Sequence, residues 1–407
     1  MRLLFNATNL RSEGGVILMQ NLLESFLAHA PDLQIRLYLN PELHERVNGM
    51  LAEHQTENQE EAARVEIIPF RPRGALKRFA WEQISLPRLI RKHQIDILFS
   101  FGNTGPLFPG CRQILYLQQA IPYSNYTPPG HALLRLRWMG FKALYGFLIG
   151  LTQLGSQKIV VPTGWLVRPL RRSIAGLKPA HAYSVTLPGS PGGMREKRDA
   201  RRFTDSELAL LEQLEKWRAS EEKILFYPCY LAPYKNIPFL LEASHLLAQQ
   251  ETPPFRLILT FNDSSREYFP CRAQVMEALA NCAARERIIL SGSLCRDMIA
   301  ELYRLSDILV FPSLVETLGL PLLEAMSHGI AVVATQNDQP NATQAAFTRE
   351  ICGNAALYAP PQDAAQFAAH LHTLLTNPQL AFDLGQEGLK HIQSLSWQAH
   401  IQAILRP

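Results

Sequence analysis

The sequence predicts an α/β protein with two domains, each built on a doubly wound parallel sheet. Short apolar runs that favour strands alternate with helical stretches along most of the chain, which is typical of parallel sheets covered by helices on both faces. The 407 residues exceed what one hydrophobic core usually serves. A stretch rich in Pro, Gly and charge, residues 188–202, separates the two halves.

We assign residues 1–188 to an N-terminal domain, 189–205 to a linker and 206–390 to a C-terminal domain, with a last helix in 391–407 that can pack back on the first domain. The strands predicted in the first domain are Arg2–Phe5, Leu33–Leu39, Val65–Phe70, Asp96–Phe101, Ile114–Gln118, Ser156–Val161 and Tyr183–Leu187. Those predicted in the second are Lys223–Tyr227, Phe255–Phe261, Ile288–Leu290, Ile308–Phe311 and Ile330–Ala334.

Composition indicates an ordinary globular protein. The six cysteines are scattered without C-x-x-C spacing, so neither a zinc site nor a disulfide framework is expected, and a reducing, cytoplasmic setting fits. The apolar run at the start is too short for a signal peptide. No run of eighteen apolar residues lacks charges, so a membrane-spanning helix is not expected.

The charge of the chain is unevenly distributed. Net charge is only +4, but Ile97–Arg195 contains no Asp or Glu. Such a stretch favours an anionic partner, unless acids from elsewhere compensate it in space. A basic cluster precedes the helix that we predict to run to about His93, and it consists of Arg71, Arg73, Lys77 and Arg78.

The stretch Asp307–Thr335, DILVFPSLVETLGLPLLEAMSHGIAVVAT, is the most informative about function. Two apolar β-prone runs flank helix formers at Leu322–His328, which predicts a strand, loop, helix, strand unit. Pro321 is placed where a first helical turn accepts proline. The loop and helix start then lie at the carboxyl end of a strand, where ligands bind in open parallel sheets and helix N–H groups attract phosphate.

Two carboxylates flank this predicted anion site, Glu316 in the loop and Glu324 near the helix start. Carboxylates accept hydrogen bonds from hydroxyl groups rather than bind phosphate. A nucleotide sugar, which carries a diphosphate between two hydroxyl-rich rings, would satisfy both features. The alternative is that Glu324 is only a favourable charge near a helix N-terminus and that Glu316 is a solvated loop residue.

The string FPSLVETLGLPLLEAMSHGIAVVAT resembles the E-x7-E donor-site signature of retaining glycosyltransferases with the two-domain GT-B fold, in particular glycosyltransferase family 4. The resemblance implies two Rossmann-like domains that face a cleft. It also implies that Glu316 holds hydroxyls of the donor sugar and that Glu324 holds the nucleotide ribose. Further residues expected at the donor site are Thr317, Gly319 and Leu320.

Other parts of the second half match this family as well. Lys235, which follows a strand, matches a lysine that grips the donor diphosphate, whereas Tyr230 occupies the approximate position of the family's arginine. A solvated charge is the alternative for Lys235, and without the arginine diphosphate binding depends on Lys235 and on helix N-termini. Gly292 and Ser293 match a glycine turn near the nucleotide base.

The first half resembles the family more loosely. Gly14 and Gly15 lie between the first strand and a helix predicted at Val16–His29, and they match a glycine loop that faces the cleft; a plain tight turn is the alternative. Gln118 and Gln119 replace a histidine and an aspartate found near the donor sugar in many members. Because an amide cannot be a general base near neutral pH, acid–base help from this loop is in doubt. Ordinary loop glutamines are the competing interpretation.

The stretch Leu133–Leu154 is the most apolar helix candidate, and Arg135, Arg137 and Lys142 lie in its first half. Two interpretations stay open. A basic and apolar helix suits an anionic membrane surface and a lipid-linked acceptor. An apolar helix in a doubly wound domain is also commonly packed on its sheet.

The resemblance implies a retaining glycosyltransferase that needs no bound metal and no cofactor, with the nucleotide sugar as substrate. We expect Glu316 and Lys235 to be catalytic, and we expect the acceptor to be a glycan or a lipid-linked glycan in cell-surface polysaccharide or lipopolysaccharide assembly. The location expected is cytoplasmic, with peripheral attachment to the inner face of the membrane as an option. The alternative function is a non-catalytic, donor-binding or scaffolding relative, because Tyr230 and Gln118 replace two expected polar groups.

Overall fold

The computed structural model describes residues 1–10, 13–57, 64–72, 74–189, 203–261, 269–339 and 342–406. The chain divides into two compact units, described separately below. The first unit comprises Met1–Tyr123, Gly140–Gly189 and Leu395–Pro407, and the second comprises Ser124–Met139 and Ser190–Ser394. The segment Ser124–Met139 therefore groups with the second unit, although the boundary drawn from sequence places it in the first. Most of the predicted linker, residues 190–202, and Arg73 of the basic cluster lie outside the described residues.

The described part of the first unit contains a seven-stranded sheet in the order β3-β2-β1-β4-β5-β6-β7, and neighbouring strands pair in parallel. The strands are β1 Arg2–Ala7, β2 Gln34–Leu39, β3 Val65–Pro69, β4 Ile97–Ser100, β5 Arg112–Tyr116, β6 Lys158–Val161 and β7 Tyr183–Val185. The helices of this unit are α1 Glu13–His29, α2 His44–Glu57, α3 Ala75–Ala80, α4 Leu86–Lys92 and α6 Val167–Ser173. A further helix, α5 Ala132–Gly155, begins in the second unit and continues into the first.

The described part of the second unit contains a six-stranded parallel sheet in the order β10-β9-β8-β11-β12-β13. The strands are β8 Lys223–Tyr227, β9 Phe255–Leu259, β10 Ile288–Leu290, β11 Ile308–Phe311, β12 Ala331–Thr335 and β13 Ala356–Ala359. The helices that follow α6 are α7 Asp205–Ala219, α8 Ile237–Ala248, α9 Phe269–Ala280, α10 Arg296–Leu305, α11 Leu320–Ser327, α12 Thr348–Cys352, α13 Ala364–Thr376, α14 Pro378–Gln393 and α15 Trp397–Leu405.

The two parallel-sheet domains predicted from sequence are thus confirmed, with one strand added. The edge strand β13 was not predicted, since its four residues Ala-Leu-Tyr-Ala are too short and too weakly apolar for a clear β pattern. Central strands have the fully buried pattern of a sheet covered on both faces, as in β4 and β11. In the first unit the ring of Phe5 on β1 packs edge-on against Phe26, Phe99 and Phe101 at centroid distances of 6.2, 4.9 and 5.3 Å.

Two helix boundaries of the first unit differ from prediction. Helix α1 begins at Glu13, so Gly14 and Gly15 lie in its first turn and not in the preceding loop. An acidic side chain in the first turn interacts favourably with the helix dipole, which explains the earlier start. The helix predicted to end near His93 is interrupted by a π-helical turn at Trp81–Ser85, which lies between α3 and α4. Such turns reorient the side chains that they carry.

Helix α15 packs on α1 within the first unit, and cations hold its carboxyl end. Lys158 Nζ donates to the carbonyl oxygens of Ala403 at 2.6 Å and Arg406 at 2.7 Å. Arg112 Nη1 donates to the carbonyl of Leu405 at 2.8 Å. The negative end of a helix dipole favours such cations. Two basic residues of the acid-free stretch are therefore used within the fold and are not available to an anionic partner.

His400 fixes the middle of α15 on the same unit. Its side chain is fully buried, with Nδ1 3.0 Å from Thr186 Oγ1 and Nε2 3.4 Å from Tyr116 Oη. Burial disfavours the imidazolium form and lowers the pKa of His400 to about 3. The folded unit therefore holds a neutral imidazole at physiological pH.

We expect the first unit to lose stability in mild acid through His400. Because the folded pKa lies below the usual value of 6.5, the unfolded chain binds an extra proton as pH falls through 6.5, and the folded state is penalised by about 1.4 kcal/mol per pH unit. Between pH 6.5 and 4.5 the wild type should lose roughly 2–3 kcal/mol that His400→Gln does not lose. Urea unfolding at several pH values measures this, with the exposed His29→Gln as control. Parallel pH profiles for wild type and His400→Gln would contradict it.

Candidate functional site

The candidate site of the second unit lies where the strand order reverses. The chain proceeds outward from β8 to β9 and β10, then returns to the other side of β8 with β11. Loops at the carboxyl ends of two such strands diverge and leave a crevice in which ligands of open α/β sheets bind. Lys235 follows β8, and Glu316 follows β11. The two residues with predicted catalytic roles therefore flank this point.

The structure brings Lys235 and Glu316 into direct contact. Lys235 Nζ lies 2.6 Å from Glu316 Oε1, and the two side chains are 8% and 19% exposed. Burial by itself lowers the pKa of Lys235, but the Glu316 carboxylate and the Tyr230 hydroxyl act against it, and the pKa ends above its usual value. The ammonium also lies 5.2 Å from the centroid of the Tyr230 ring. Tyr230 thus contributes an aromatic face beside the cation in place of a second cation.

Two residues that sequence reasoning missed join the loops that carry this pair. The hydroxyl of Tyr227, the last residue of β8, donates to the carbonyl of Lys235 at 3.1 Å and shares a hydrogen bond of 2.7 Å with Ser313 Oγ. The backbone N–H of Leu314 donates to the carbonyl of Tyr234 at 2.8 Å. Local sequence patterns could not reveal these contacts, since the partners are far apart in the chain.

Helix α11 starts beside the ion pair and has no side-chain cap. It begins at Leu320, one residue before Pro321, which the sequence placed as the first helical residue, and Gly319 is its N-cap with φ +62°. A Cβ at this position would lie 3.1 Å from Leu322 Cδ1, so both conformation and space favour glycine. Pro321 lies in the first turn as predicted. Pro321 has no N–H, and the N–H of Leu322 donates to the Gly319 carbonyl at 2.9 Å. The N–H of Leu320, which no side chain caps, is therefore the donor that the first turn keeps for a ligand.

Glu324 is buried and hydrogen bonded, so it is neither solvated nor at the helix start. Its Oε2 accepts a 2.8 Å hydrogen bond from Tyr303 Oη on α10. Burial raises the pKa of Glu324 above its usual value, although the Tyr303 hydroxyl and Arg296 favour the carboxylate. The His328 ring stacks on Tyr303 at 5.5 Å. Sequence reasoning missed Tyr303, since a tyrosine in an amphipathic helix gives no sign of its distant partner.

The remaining predicted donor residues lie on the same edge of the second sheet. Thr317 lies in the loop before α11 and is partly buried. Gly292 and Ser293 form the turn after β10, which is two strands from β8. Gly292 has φ +75°, and its N–H donates to the carbonyl of Phe261 at 3.2 Å. The side chain of Ser293 is exposed.

In the first unit, both predicted glutamines bind the protein's own backbone. Gln118 Nε2 donates to the carbonyl of Phe101 at 2.8 Å, and Gln119 Oε1 accepts from the N–H of Ile121 at 3.3 Å. Asn103 Oδ1 accepts from the N–H of Gln118 at 2.6 Å. The amides therefore order the loop after β5, which agrees with the alternative that these are ordinary loop glutamines.

Helix α5 exposes its apolar side chains along much of its length. Among the described residues, no helix is both long enough and apolar enough to cross a bilayer. The buried residues of α5 are near its end, from Ile149 onward. Exposed side chains upstream of these, with exposed fractions between 43% and 65%, are Leu133, Leu136, Met139, Phe141, Leu144 and Phe147. The interpretation of this helix as core is therefore wrong for that part.

Breaking the ion pair of the site should destabilise the second unit more than breaking an exposed pair. Lys235→Met should cost about 3 kcal/mol in unfolding free energy, because the Glu316 carboxylate then lacks its counter-charge in a mostly buried position. The double variant Lys235→Met/Glu316→Gln should recover most of that loss. Urea unfolding of the four proteins in this cycle measures the coupling.

The matched control is the more exposed pair of Lys223 with Asp307, whose side chains are 34% and 27% exposed. Lys223→Met should cost less than about 1 kcal/mol. A double variant of Lys235 and Glu316 as unstable as the sum of the two single changes would show that the pair is not coupled.

Comparisons with known proteins agree with the fold. Residues 212–391 match the sequence model of the family described as Glycosyl transferases group 1. An O-antigen chain mannosyltransferase B of Escherichia coli is 30% identical over 189 residues, which cover 46% of this chain and 46% of that protein. The chain spans less than half the length of the curated relatives that it matches first.

Solved structures match over the whole chain at low identity. A sucrose-phosphate synthase of Thermosynechococcus elongatus superposes with a TM-score of 0.65 at 16% identity, covering 100% of this chain and 96% of that one. WaaG, a glycosyltransferase involved in lipopolysaccharide biosynthesis, superposes with a TM-score of 0.61 at 13% identity, covering all of both chains. These likenesses show the fold, that of GT-B glycosyltransferases. The residues that match the Glycosyl transferases group 1 model, 212–391, contain Lys235, Glu316 and Glu324.

Proposed function

We propose that this protein is a glycosyltransferase that moves a sugar from a nucleotide-diphosphate sugar to a hydroxyl of a glycan or lipid-linked glycan, with retention of anomeric configuration. The observation that carries the proposal is the contact between Lys235 and Glu316 across the switch point, beside the uncapped start of α11. A cation, an acceptor for hydroxyl groups and the positive end of a helix dipole are the complement of a sugar diphosphate.

Each residue of the site would bind a different part of the nucleotide sugar. Lys235 has three N–H donors, of which one meets Glu316, so the others can hold diphosphate oxygens. Glu316 would accept hydrogen bonds from hydroxyls of the transferred sugar. Glu324 uses Oε2 for Tyr303 and would accept from the ribose with Oε1. Tyr230 keeps an aromatic face beside Lys235 where relatives have an arginine.

Retention follows if acceptor and leaving group share one face of the sugar. The bond from the anomeric carbon to the diphosphate oxygen breaks, and the acceptor oxygen bonds to that carbon on the same face. The acceptor proton passes to the leaving diphosphate oxygen, so no protein base is required. Lys235 and the start of α11 stabilise the charge that develops on the diphosphate. We propose that the reaction requires neither a metal nor a cofactor.

A second candidate is a non-catalytic relative that binds the donor or acts as a scaffold. Two observations favour it. Tyr230 stands in place of the arginine, and the side chain of Gln118 is used in a hydrogen bond to the carbonyl of Phe101. Slow hydrolysis of the nucleotide sugar by the purified protein separates the two candidates, because a scaffold would bind the donor without breaking it. Thermal-shift screening with nucleotide diphosphates identifies the base, since bound ligand raises stability by mass action.

The exposed face of α5 supports a membrane-borne acceptor. Monomeric soluble proteins rarely expose large contiguous apolar patches, and such patches mark interaction sites. Arg135 and Arg137 are exposed on the same helix, Lys142 is partly buried there, and no Asp or Glu occurs from Ile97 to Arg195. Apolar side chains beside cations are complementary to an anionic bilayer. We therefore propose peripheral attachment to an anionic membrane surface through this face.

Truncation of Glu316 should reduce transfer without unfolding the protein. Glu316→Ala should lower turnover about tenfold or more, because hydrogen bonds from sugar hydroxyls to a charged group are lost. Turnover is measured in EDTA, where the wild type should stay active. The control is Glu212→Ala, which removes a carboxylate of similar size from an exposed ion pair with Lys216. Unchanged turnover in Glu316→Ala would contradict its role, and loss of wild-type activity in EDTA would contradict metal independence.

Binding to anionic vesicles should depend on both parts of the α5 face. Basic residues near such a surface contribute about 1 kcal/mol each, so Arg135→Gln/Arg137→Gln/Lys142→Gln should bind roughly a hundredfold less tightly. Leu136→Ser/Phe147→Ser should weaken binding by a similar factor, because the insertion of two large apolar side chains is lost. Vesicle sedimentation at low salt measures both effects.

The control for the apolar change is Phe382→Ser, which alters a side chain that is 60% exposed on α14. This variant should bind vesicles like the wild type. Wild-type protein that ignores anionic vesicles, and self-associates through α5 instead, would show that the face is an interface between two copies.

A further inference from the structure

A second polar cluster lies at the carboxyl edge of the first sheet, at its own switch point. The chain leaves β1 toward β2 and β3 and returns on the other side of β1 with β4. Asn9 follows β1, and Thr104 follows β4. Crevices at such points receive ligands in open α/β sheets. The sequence assigned neither of these residues to a site.

Arg78 reaches into this edge and is held in one orientation. Its Nη1 donates to Asn9 Oδ1, and its Nε lies 3.7 Å from Glu82 Oε1. Asn9 Nδ2 donates in turn to the carbonyl of Gly102 at 3.3 Å. Within the described residues, Nη2 of Arg78 has no hydrogen bond, and 17% of the side chain is exposed. A guanidinium fixed on one side thus keeps a donor for a ligand.

The π-helical turn at Trp81–Ser85 places Glu82 behind this arginine. Glu82 is 3% exposed and accepts a 2.8 Å hydrogen bond from Thr104 Oγ1. Gln83, the next residue of the turn, holds the loop after β4 through the N–H of Leu107 and the carbonyl of Gly105. The turn therefore connects Glu82, which lies beside Arg78, to the loop after β4.

Charge favours an anion at this place. Burial raises the pKa of Glu82 to about 7, with Arg78 and Thr104 opposing the shift, so near neutral pH this carboxyl is about half ionised. It therefore does not fully neutralise the Arg78 charge. The residues from Ile97 to Arg195 add no acid.

We propose that Arg78 is the cation of a phosphate subsite in the first unit, with Asn9 and Glu82 as positioning residues. A guanidinium matches the oxygens of a phosphate ester, and here it is already oriented. That the phosphate belongs to the acceptor rests on the proposed function; that the subsite binds phosphate does not. The phosphate group can be carried by a soluble sugar phosphate or by a lipid phosphate.

The experiment titrates inorganic phosphate into the full chain by calorimetry, in a Lys235→Ala background that removes the donor-side cation. Arg78→Gln should weaken phosphate binding about tenfold or more, since one charge-assisted hydrogen-bonding group is lost. Lys77→Gln is the matched control, because it makes the same charge change at the adjacent exposed residue. Equal weakening by both variants, or none by Arg78→Gln, would overturn the subsite.

Two further variants test the geometry of the subsite. Arg78→Lys keeps the charge but loses the fork, so it should also bind phosphate more weakly than wild type. It carries the test if Arg78→Gln fails to fold, as judged by thermal unfolding. Glu82→Gln retains an acceptor for Thr104 and should keep phosphate affinity, whereas Glu82→Leu should lose it. Equal affinities of Glu82→Leu and wild type would show that Glu82 does not position Arg78.

Two arms identify the carrier of the phosphate. The first compares the wild type and Arg78→Gln in their binding of a soluble hexose phosphate. The second compares the same two proteins in their binding of vesicles that contain phosphatidic acid, with phosphatidylglycerol vesicles as reference. Arg78 dependence in either arm supports the subsite and names its source, and its absence in both overturns it. If the protein transfers no sugar but binds phosphate through Arg78, the proposed function is wrong and the subsite stands. If the protein transfers sugar but its phosphate binding does not depend on Arg78, the proposed function stands and the subsite is wrong.

Discussion

The ion pair of Lys235 with Glu316 connects the two loops that carry the proposed donor site of the second unit. Each loop leaves a different strand, and the pair lies where these strands separate. A charge in a mostly buried position is costly unless a partner is within contact distance, so the loop after β8 and the loop after β11 constrain each other. The hydrogen bonds of Tyr227 to Ser313 and to the Lys235 carbonyl add neutral contacts to this constraint. The start of α11, which follows the second of these loops, is thereby constrained as well.

The same topological feature occurs in the first unit with different chemistry. There the switch point lies between β1 and β4, and Arg78 is supported by Asn9 and by Glu82, which Thr104 holds. Lys235 is in direct contact with the carboxylate of Glu316. Arg78 instead contacts the neutral amide of Asn9 and lies near the carboxyl of Glu82, whose pKa is raised to about 7. The more loosely compensated cation therefore lies in the first unit. Parallel sheets collect polar loop residues at one edge, and this explains why each unit has such a cluster at its own switch point.

Helix α5 shows how one chain segment can satisfy two requirements. Near its end Thr152 and Gln153 are buried and hydrogen bonded, Thr152 to Gly105 and Gln153 to Ser173 and Tyr183. Upstream of this anchor the same helix leaves large apolar side chains in solvent, where folding gains little of the free energy of burying them. A surface of this kind is explained by a partner that covers it.

Sequence alone determined the strand and helix alternation, the two parallel-sheet domains, and the placement of Lys235, Glu316 and Gly319 after strand ends. These features follow from periodicity and from turn residues, which are local. The tertiary structure decided what is not local. It pairs Glu324 with Tyr303 and Gln118 with the carbonyl of Phe101. It also leaves much of α5 exposed, although the apolar pattern of this helix permitted a place in the core. It also placed Arg78, Glu82 and Thr104 together, because contacts between residues distant in the chain depend on strand order, and strand order cannot be derived from the period of any one segment.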